Sequence, residues 1–228
     1  RSKGIKVFIA TGRPLGIINN IDGILPFIDC YLTANGAHCI VGNEVVYHQP
    51  ILKADVELIL KEATKQDYSC VVVGQDAIGT FNYKDNIDRI FRRMLDIHGV
   101  DYNIPIEELL KTDILELTPF VSVQQEQQLM PRIPTCVSAR WHPEFMDVTS
   151  RLADKGRGLT AIAQHLGIAL SDCVAFGDGG NDISMFVAAG IGVAMGNAGD
   201  NVKQAANFVT KHIDEEGIMH AMKYLGIV

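Results

Sequence analysis

The stretch Val174-Ala175-Phe176-Gly177-Asp178-Gly179-Gly180-Asn181-Asp182-Ile183-Ser184-Met185 decides how this chain is read. An apolar strand breaks off into two carboxylates, an amide and three glycines, and an apolar helix-like segment follows. Such a turn offers a core almost no apolar surface. It suits a hard cation held beside a phosphate. Mg²⁺ takes oxygen ligands, usually one or two carboxylates completed by water and phosphate oxygens. Glycines let the backbone approach a ligand closely. The same residues also read as local punctuation, with Asp178 a turn former and Asp182 the N-cap of the next helix.

Working outward, the pattern on both sides is strand–helix alternation. Toward the C-terminus come a helix over 183–189, a strand over 191–194, a helix near 199–206, a short strand at 207–209 and a helix over 217–225. Before the turn lie a strand over 173–176 and a helix over 156–166 with Leu159, Ile162, Ala163 and Leu166 on its inner face. The N-terminal end has the same texture. Residues 5–10 read as a buried strand broken by Thr11-Gly12-Arg13-Pro14, and Pro14 suits the first turn of a helix over 15–22. Tyr31–Ala34 is a second strand, ended by Asn35-Gly36-Ala37, and 38–48 reads as a hairpin.

The middle is different. Residues 53–66 form an amphipathic helix with Val56, Ile59, Leu60 and Ala63 on one face. Strands follow at 70–73, 79–83, 114–118, 137–141 and 145–148, with helices over 85–98 and 124–130. This mixture predicts a separate α+β unit. The fold class is therefore α/β: a Rossmann-like parallel-sheet core from 1–50 and 144–228, interrupted by an inserted α/β cap over 52–142. In open α/β sheets ligands bind beyond the carboxyl ends of the strands. Thr11 and Asp178 both follow predicted strand ends, so two turns far apart in sequence point to the same edge.

Composition narrows the function. Of 228 residues, 47% are hydrophobic and 21% charged, which supplies a core of ordinary size. A formal net charge of −7 without a basic cluster leaves little to drive nucleic-acid binding, so no nucleic-acid partner is expected. No run of about 18 apolar residues predicts a membrane span, and no signal-peptide pattern is visible. The five cysteines are scattered without a Cys-x-x-Cys pair. They read as small buried hydrophobes in a reducing, cytoplasmic setting. The seven histidines show no metal-ligand spacing. Trp141, His142 and Phe145 read either as packing or as the border of a substrate pocket.

Three segments, Ala10-Thr11-Gly12-Arg13-Pro14, Asp154-Lys155-Gly156 and Gly177-Asp178-Gly179-Gly180-Asn181-Asp182, stand in an order that resembles the haloacid dehalogenase-like hydrolases, and among them the Cof-type sugar-phosphate phosphatases. The likeness runs on through Ile191-Gly192-Val193-Ala194-Met195-Gly196-Asn197-Ala198. It implies a Mg²⁺-dependent phosphatase of small phosphorylated metabolites. In that reading Thr11 donates its hydroxyl to a phosphoryl oxygen, with the Gly12 amide beside it. Lys155 neutralises the phosphate and tethers the nucleophile, and Asn181 contacts phosphate or substrate. Asp178 is a direct Mg²⁺ ligand. Asp182 belongs to the metal site from behind, orienting Lys155 or a metal-bound water, and serves equally as a helix cap. These segments are expected to converge on one cleft.

One part of the family pattern has no match. The resemblance places the nucleophile and the general acid on an Asp-x-Asp-Gly-Thr motif ahead of the Thr-Gly-Arg segment. The nearest likeness, Asn20-Ile21-Asp22-Gly23-Ile24-Leu25, follows Thr11 instead and has Asn where the nucleophile belongs. An amide is too weak a nucleophile for an aspartyl-phosphate pathway, so this segment reads as a loop. The expectation is that the catalytic pair lies upstream of Arg1, and that residues 1–228 alone do not turn over phosphate esters. The alternative is a non-catalytic phosphate-binding or regulatory protein of the same fold.

Overall fold

The computed structural model describes residues 1–18, 21–75, 77–98 and 100–228. They divide into two units. One comprises Arg1–Gly12, Asp29–Tyr47 and Asp154–Val228, and the other Arg13–Ile28 and His48–Ala153.

The first unit opens with β1 (Phe8–Ala10), β2 (Cys30–Thr33), β3 (His38–Val41) and β4 (Glu44–His48), which form a four-stranded sheet in that order. β1 and β2 are parallel, Phe8 opposite Cys30, and β2 and β3 antiparallel, Leu32 opposite Cys39. Gly42, at φ +58°, provides the left-handed residue that the tight turn between β3 and β4 needs.

The second unit starts with α1 (Lys53–Gln66), followed by β5 (Cys70–Gly74), β6 (Ile78–Phe81), α2 (Asp85–Ile87), α3 (Ile106–Leu109), β7 (Ile114–Pro119), α4 (Val123–Leu129), β8 (Cys136–His142) and β9 (Phe145–Ser150). Its sheet is antiparallel, in the order β6-β5-β7-β9-β8. The apolar face of α1 (Val56, Ile59, Leu60, Ala63) packs into a core with Cys70, Val72, Leu117, Met146 and Val148. The helix starts without a side-chain cap and ends at Asp67 in the left-handed region, so this burial is what holds it. His142 stacks on Phe145 and Trp141 meets both rings edge-on, with Phe145 also against Phe91 and Phe120.

The chain then returns to the first unit with α5 (Lys155–Leu166), β10 (Val174–Gly177), α6 (Ile183–Ala188), β11 (Ile191–Ala194), α7 (Asp200–Ala205), β12 (Phe208–Val209) and α8 (Gly217–Tyr224). β10, β11 and β12 form a parallel sheet, with Phe176 opposite Val193 and Ala194 opposite Val209. α5 presents Leu159 and Ile162 to a core shared with Cys30, Leu32, Cys39, Ala175, Met185, Phe186 and Ala194.

Four expectations are corrected. The strand starting at Phe145 was placed with the core, but it pairs with β7 and β8, so the unit boundary falls between Ala153 and Asp154. Arg13–Ile28 likewise groups with the second unit. The helix predicted over 15–22 is a single 3₁₀ turn at Leu15–Ile17 with no buried residue to anchor it. Asn20 of the Asp-motif look-alike lies outside the described residues, while Asp22 is exposed. The helix predicted over 85–98 runs as α2 and then widens into a π-helical segment over Asp88–Met94. Leu95 N–H bonds to Ile90 carbonyl, five residues back, and Asp96 turns left-handed to end the run.

Candidate active site

The three segments singled out in the sequence meet within the first unit. Asp154 caps α5, its carboxylate accepting the Arg157 N–H at 2.9 Å. Lys155 thereby occupies the first helical position and is only 4% exposed. A buried ammonium needs partners, because desolvating an isolated charge is very costly. Lys155 Nζ donates to Asp182 Oδ1 at 2.6 Å and to the Ala10 carbonyl at 3.3 Å. One cation therefore ties the end of β1 to the turn that follows β10.

Asp182 is 5% exposed and fully engaged. Its Oδ2 accepts the N–H groups of Asp178 at 3.0 Å and Gly179 at 2.9 Å, while Oδ1 takes Lys155. The carboxylate sits so close to the end of β10 that a Cβ on Gly177 would lie 2.4 Å from its Cγ. Only glycine admits this approach. With both oxygens bonded to protein donors, Asp182 shapes the turn and holds Lys155.

Asp178, by contrast, is exposed. Its Oδ2 accepts from Asn197 Nδ2 at 2.8 Å, and Asn197 Oδ1 in turn accepts the Ile213 N–H at 3.3 Å. Asn197 lies in the Ile191–Ala198 stretch of the family likeness, where the sequence alone marks no role for it. Among the described residues no group of three or more His, Cys, Asp or Glu gathers to hold a metal. Among those residues there is thus no all-protein cage. This agrees with Mg²⁺ bound by one carboxylate, with water and phosphate oxygens filling the remaining positions. The donor set at Asp178 therefore fits Mg²⁺.

At the end of β1, Thr11 N–H bonds to the Leu32 carbonyl at 2.8 Å, and the Thr11 carbonyl accepts from Asn35 N–H at 3.3 Å. Asn181 reaches the same corner, its Nδ2 donating to Asn35 Oδ1 at 2.9 Å. Gly12 abuts that amide as well: a Cβ there would lie 2.9 Å from Asn35 Oδ1. Asn35 thus joins the Thr11-Gly12 turn to the Asn181 turn. In the sequence it was read only as the end of a strand. The usable signal was an Asn-Gly pair following a strand at the edge already marked by Thr11. Asn35 belongs to three successive left-handed residues, Ala34 (φ +47°), Asn35 (φ +55°) and Gly36 (φ +90°). Left-handed backbone costs an L-residue roughly 1–2 kcal/mol, and such strain collects at functional sites.

All six residues expected at the site, Thr11, Gly12, Lys155, Asp178, Asn181 and Asp182, are linked through these contacts, with Ala10 and Asn35 as the joints. The assembly combines a buried ammonium, an exposed carboxylate and a glycine-rich turn beyond the ends of parallel strands.

The model of the haloacid dehalogenase-like hydrolases matches residues 1–222. The chain belongs to this family. It is similar to a solved HAD subclass IIB sugar phosphatase, with a TM-score of 0.89 and 41% identity over 100% of this chain and 88% of that one. It is 33% identical to the HMP-PP phosphatase of Escherichia fergusonii over 87% of this chain and 74% of the relative. The 5-amino-6-(5-phospho-D-ribitylamino)uracil phosphatase of Bacillus subtilis is 27% identical over 97% and 82%. Among the described residues no helix is long and apolar enough to cross a membrane.

Proposed function

We propose that this haloacid dehalogenase-like chain carries the phosphate and metal site of a Mg²⁺-dependent phosphatase acting on small phosphorylated metabolites, sugar phosphates foremost. The observation that carries the proposal is the buried Lys155 ammonium, fixed by Asp182 and the Ala10 carbonyl where the Thr11-Gly12 and Asp178–Asp182 turns meet. Phosphoryl transfer depends mainly on positioning and charge stabilisation. Lys155 supplies a fixed positive charge, Thr11 a hydroxyl donor, Gly12 a backbone amide and Asn181 a side-chain amide. Asp178 would hold Mg²⁺, whose charge neutralises the phosphoryl oxygens. The relatives' phosphorylated substrates support the substrate class.

Turnover through an aspartyl-phosphate intermediate requires a nucleophilic carboxylate and an acid that protonates the leaving oxygen. No residue of 1–228 is assigned either role here. The test uses p-nitrophenyl phosphate and a sugar-phosphate panel, on residues 1–228 and on the chain extended by its upstream coding sequence. The extended protein should hydrolyse esters in Mg²⁺ and stop in EDTA. Asp178→Ala should abolish turnover, and Lys155→Ala should lower it by about 10²–10³, the scale of losing one transition-state charge partner. Full activity of the extended Asp178→Ala protein would overturn the metal-assisted reading. Phosphate binding by the extended protein without any turnover would favour the non-catalytic alternative.

A further inference from the structure

We infer that Asn35 is a positioning residue of the phosphate site, an inference that rests on the phosphatase reading above. Its amide oxygen fixes where Asn181 stands and walls the Gly12 amide, and the strained turn that carries it serves this purpose.

The turn is clamped on both sides. Ala34 and Gly36 are buried, and a Cβ on Gly36 would lie 2.3 Å from the Asp154 carbonyl, directly ahead of Lys155. Ala37 N–H closes the turn on the Ala34 carbonyl at 2.9 Å, and Thr33 Oγ1 bonds to the His38 carbonyl at 3.0 Å. With its flanks fixed, the left-handed backbone at 35 leaves one feature adjustable, the side chain. That side chain reaches Asn181, 146 positions away, at 2.9 Å and stands against Gly12. Asn35 N–H also holds the Thr11 carbonyl. One residue therefore bonds to both Asn181 and the Thr11 carbonyl and leaves no room for a side chain at position 12.

A turn serving the backbone alone would be best served by glycine at φ +55°, because glycine adopts that region without steric cost. Asparagine also tolerates the left-handed region better than most residues, which is the competing structural explanation. The two explanations part in Asn35→Gly. If Asn35 is a turn former, the glycine variant is equivalent to wild type. If it positions the site, the variant keeps its stability and loses phosphate affinity.

The experiment measures thermal stability and calorimetric inorganic phosphate affinity, with Mg²⁺ present, for residues 1–228 as wild type, Asn35→Gly, Asn35→Asp, Asn181→Ala and the Asn35→Gly/Asn181→Ala double variant. Nitrogen-edited NMR follows the Asn181 side-chain and Gly12 backbone amides without phosphate. Asn35→Gly should melt at or above the wild-type temperature, weaken phosphate binding at least tenfold and shift both amide signals. The double variant should bind no more than about twofold more weakly than Asn181→Ala, since both changes remove one contact. Asn35→Asp keeps the acceptor oxygen and should leave the Asn181 signal in place while weakening phosphate through its charge. If the glycine variant fails to fold, Asn35→Ala stands in, because it too removes the acceptor oxygen and should shift the same two amide signals. Unchanged Asn181 and Gly12 amides in Asn35→Gly, or phosphate affinity within twofold of wild type, overturns the inference. Failure of the wild type itself to bind phosphate strikes the phosphatase reading instead, and the amide signals still decide whether Asn35 positions Asn181.

Discussion

Truncating Asp182 to alanine removes the acceptor shared by Lys155 Nζ and the Asp178 and Gly179 amides. Lys155 and Asp182 side chains are 5% and 7% exposed, so the buried ammonium is left with the Ala10 carbonyl as its protein acceptor. Breaking a buried ion pair from one side costs about 3–5 kcal/mol. The two amides add little beyond this, because Asp178 is exposed and Gly179 half-buried, and water can reach them. Against a domain stability of about 5–15 kcal/mol, Asp182→Ala should remove a fifth or more. Asp182→Asn, which keeps one acceptor oxygen, should cost about 1–3 kcal/mol. The decisive comparison is Lys155→Met/Asp182→Ala. With no charge stranded, the double variant should be more stable than Asp182→Ala alone, since replacing both ions with apolar groups is often nearly neutral. Urea unfolding followed by circular dichroism measures the wild type, these three variants and Lys155→Met alone. A cost below about 1 kcal/mol for Asp182→Ala, or strict additivity in the double variant, would refute the claim that this pair organises the site.

Gly177→Ala should destabilise by about 1–3 kcal/mol in the same urea assay, because its Cβ would lie 2.4 Å from the Asp182 Cγ and force that carboxylate away; an unchanged midpoint would show that the turn has slack. Desolvation pushes the Asp147 carboxyl up despite bonds from Trp141 Nε1 at 2.7 Å and Thr118 Oγ1 at 2.9 Å. A raised native pKa gives stability that is full below the unfolded value near 3.9 and is lost as pH rises through the native value. The melting-temperature advantage of Asp147→Asn over wild type should therefore grow between pH 4 and pH 8, and a constant or shrinking difference would contradict this. Burial pushes the thiols of Cys30 and Cys136 up to about 11 and Cys39 to about 12, and Cys70 is raised further. A disulfide-exchange reagent at pH 8 should then find at most one fast thiol, Cys173, in the native protein, and two or more would contradict the packing.

What the sequence disclosed follows from how locally each feature is specified. α1 and α5 were legible because their inward residues recur at helical spacing, and β10 and β11 because short apolar runs end in glycine-rich turns. β9 was assigned to the wrong unit because the alternation of Met146 and Val148 marks a strand but does not name its partner. The segment over 85–98 carries apolar residues at helical intervals, yet its hydrogen bonds widen after Ile87, a change no periodicity announces. At the site, Thr11, Lys155, Asp178, Asn181 and Asp182 stood out as polar groups where packing gains nothing from them. Asn35 did not, because its importance exists only once the fold has brought it to Asn181.

The order in which the first unit's pieces occur along the chain governs when its site can form. Lys155 bonds to Ala10 across 145 positions, and Asn181 to Asn35 across 146, with the whole 48–153 segment of the second unit in between. At synthesis rates of about 5–20 residues per second, β1 and β2 wait on the order of ten seconds for the partners that complete their environment. Closing so long a loop adds little equilibrium cost, since each doubling of length costs only about 0.6 kcal/mol. The burden is kinetic, because distant contacts are slow to find. A nascent chain stalled before Asp182 holds Thr11, Asn35 and Lys155 without the carboxylate that seats the ammonium, so the bonded cluster is completed late in synthesis and all at once.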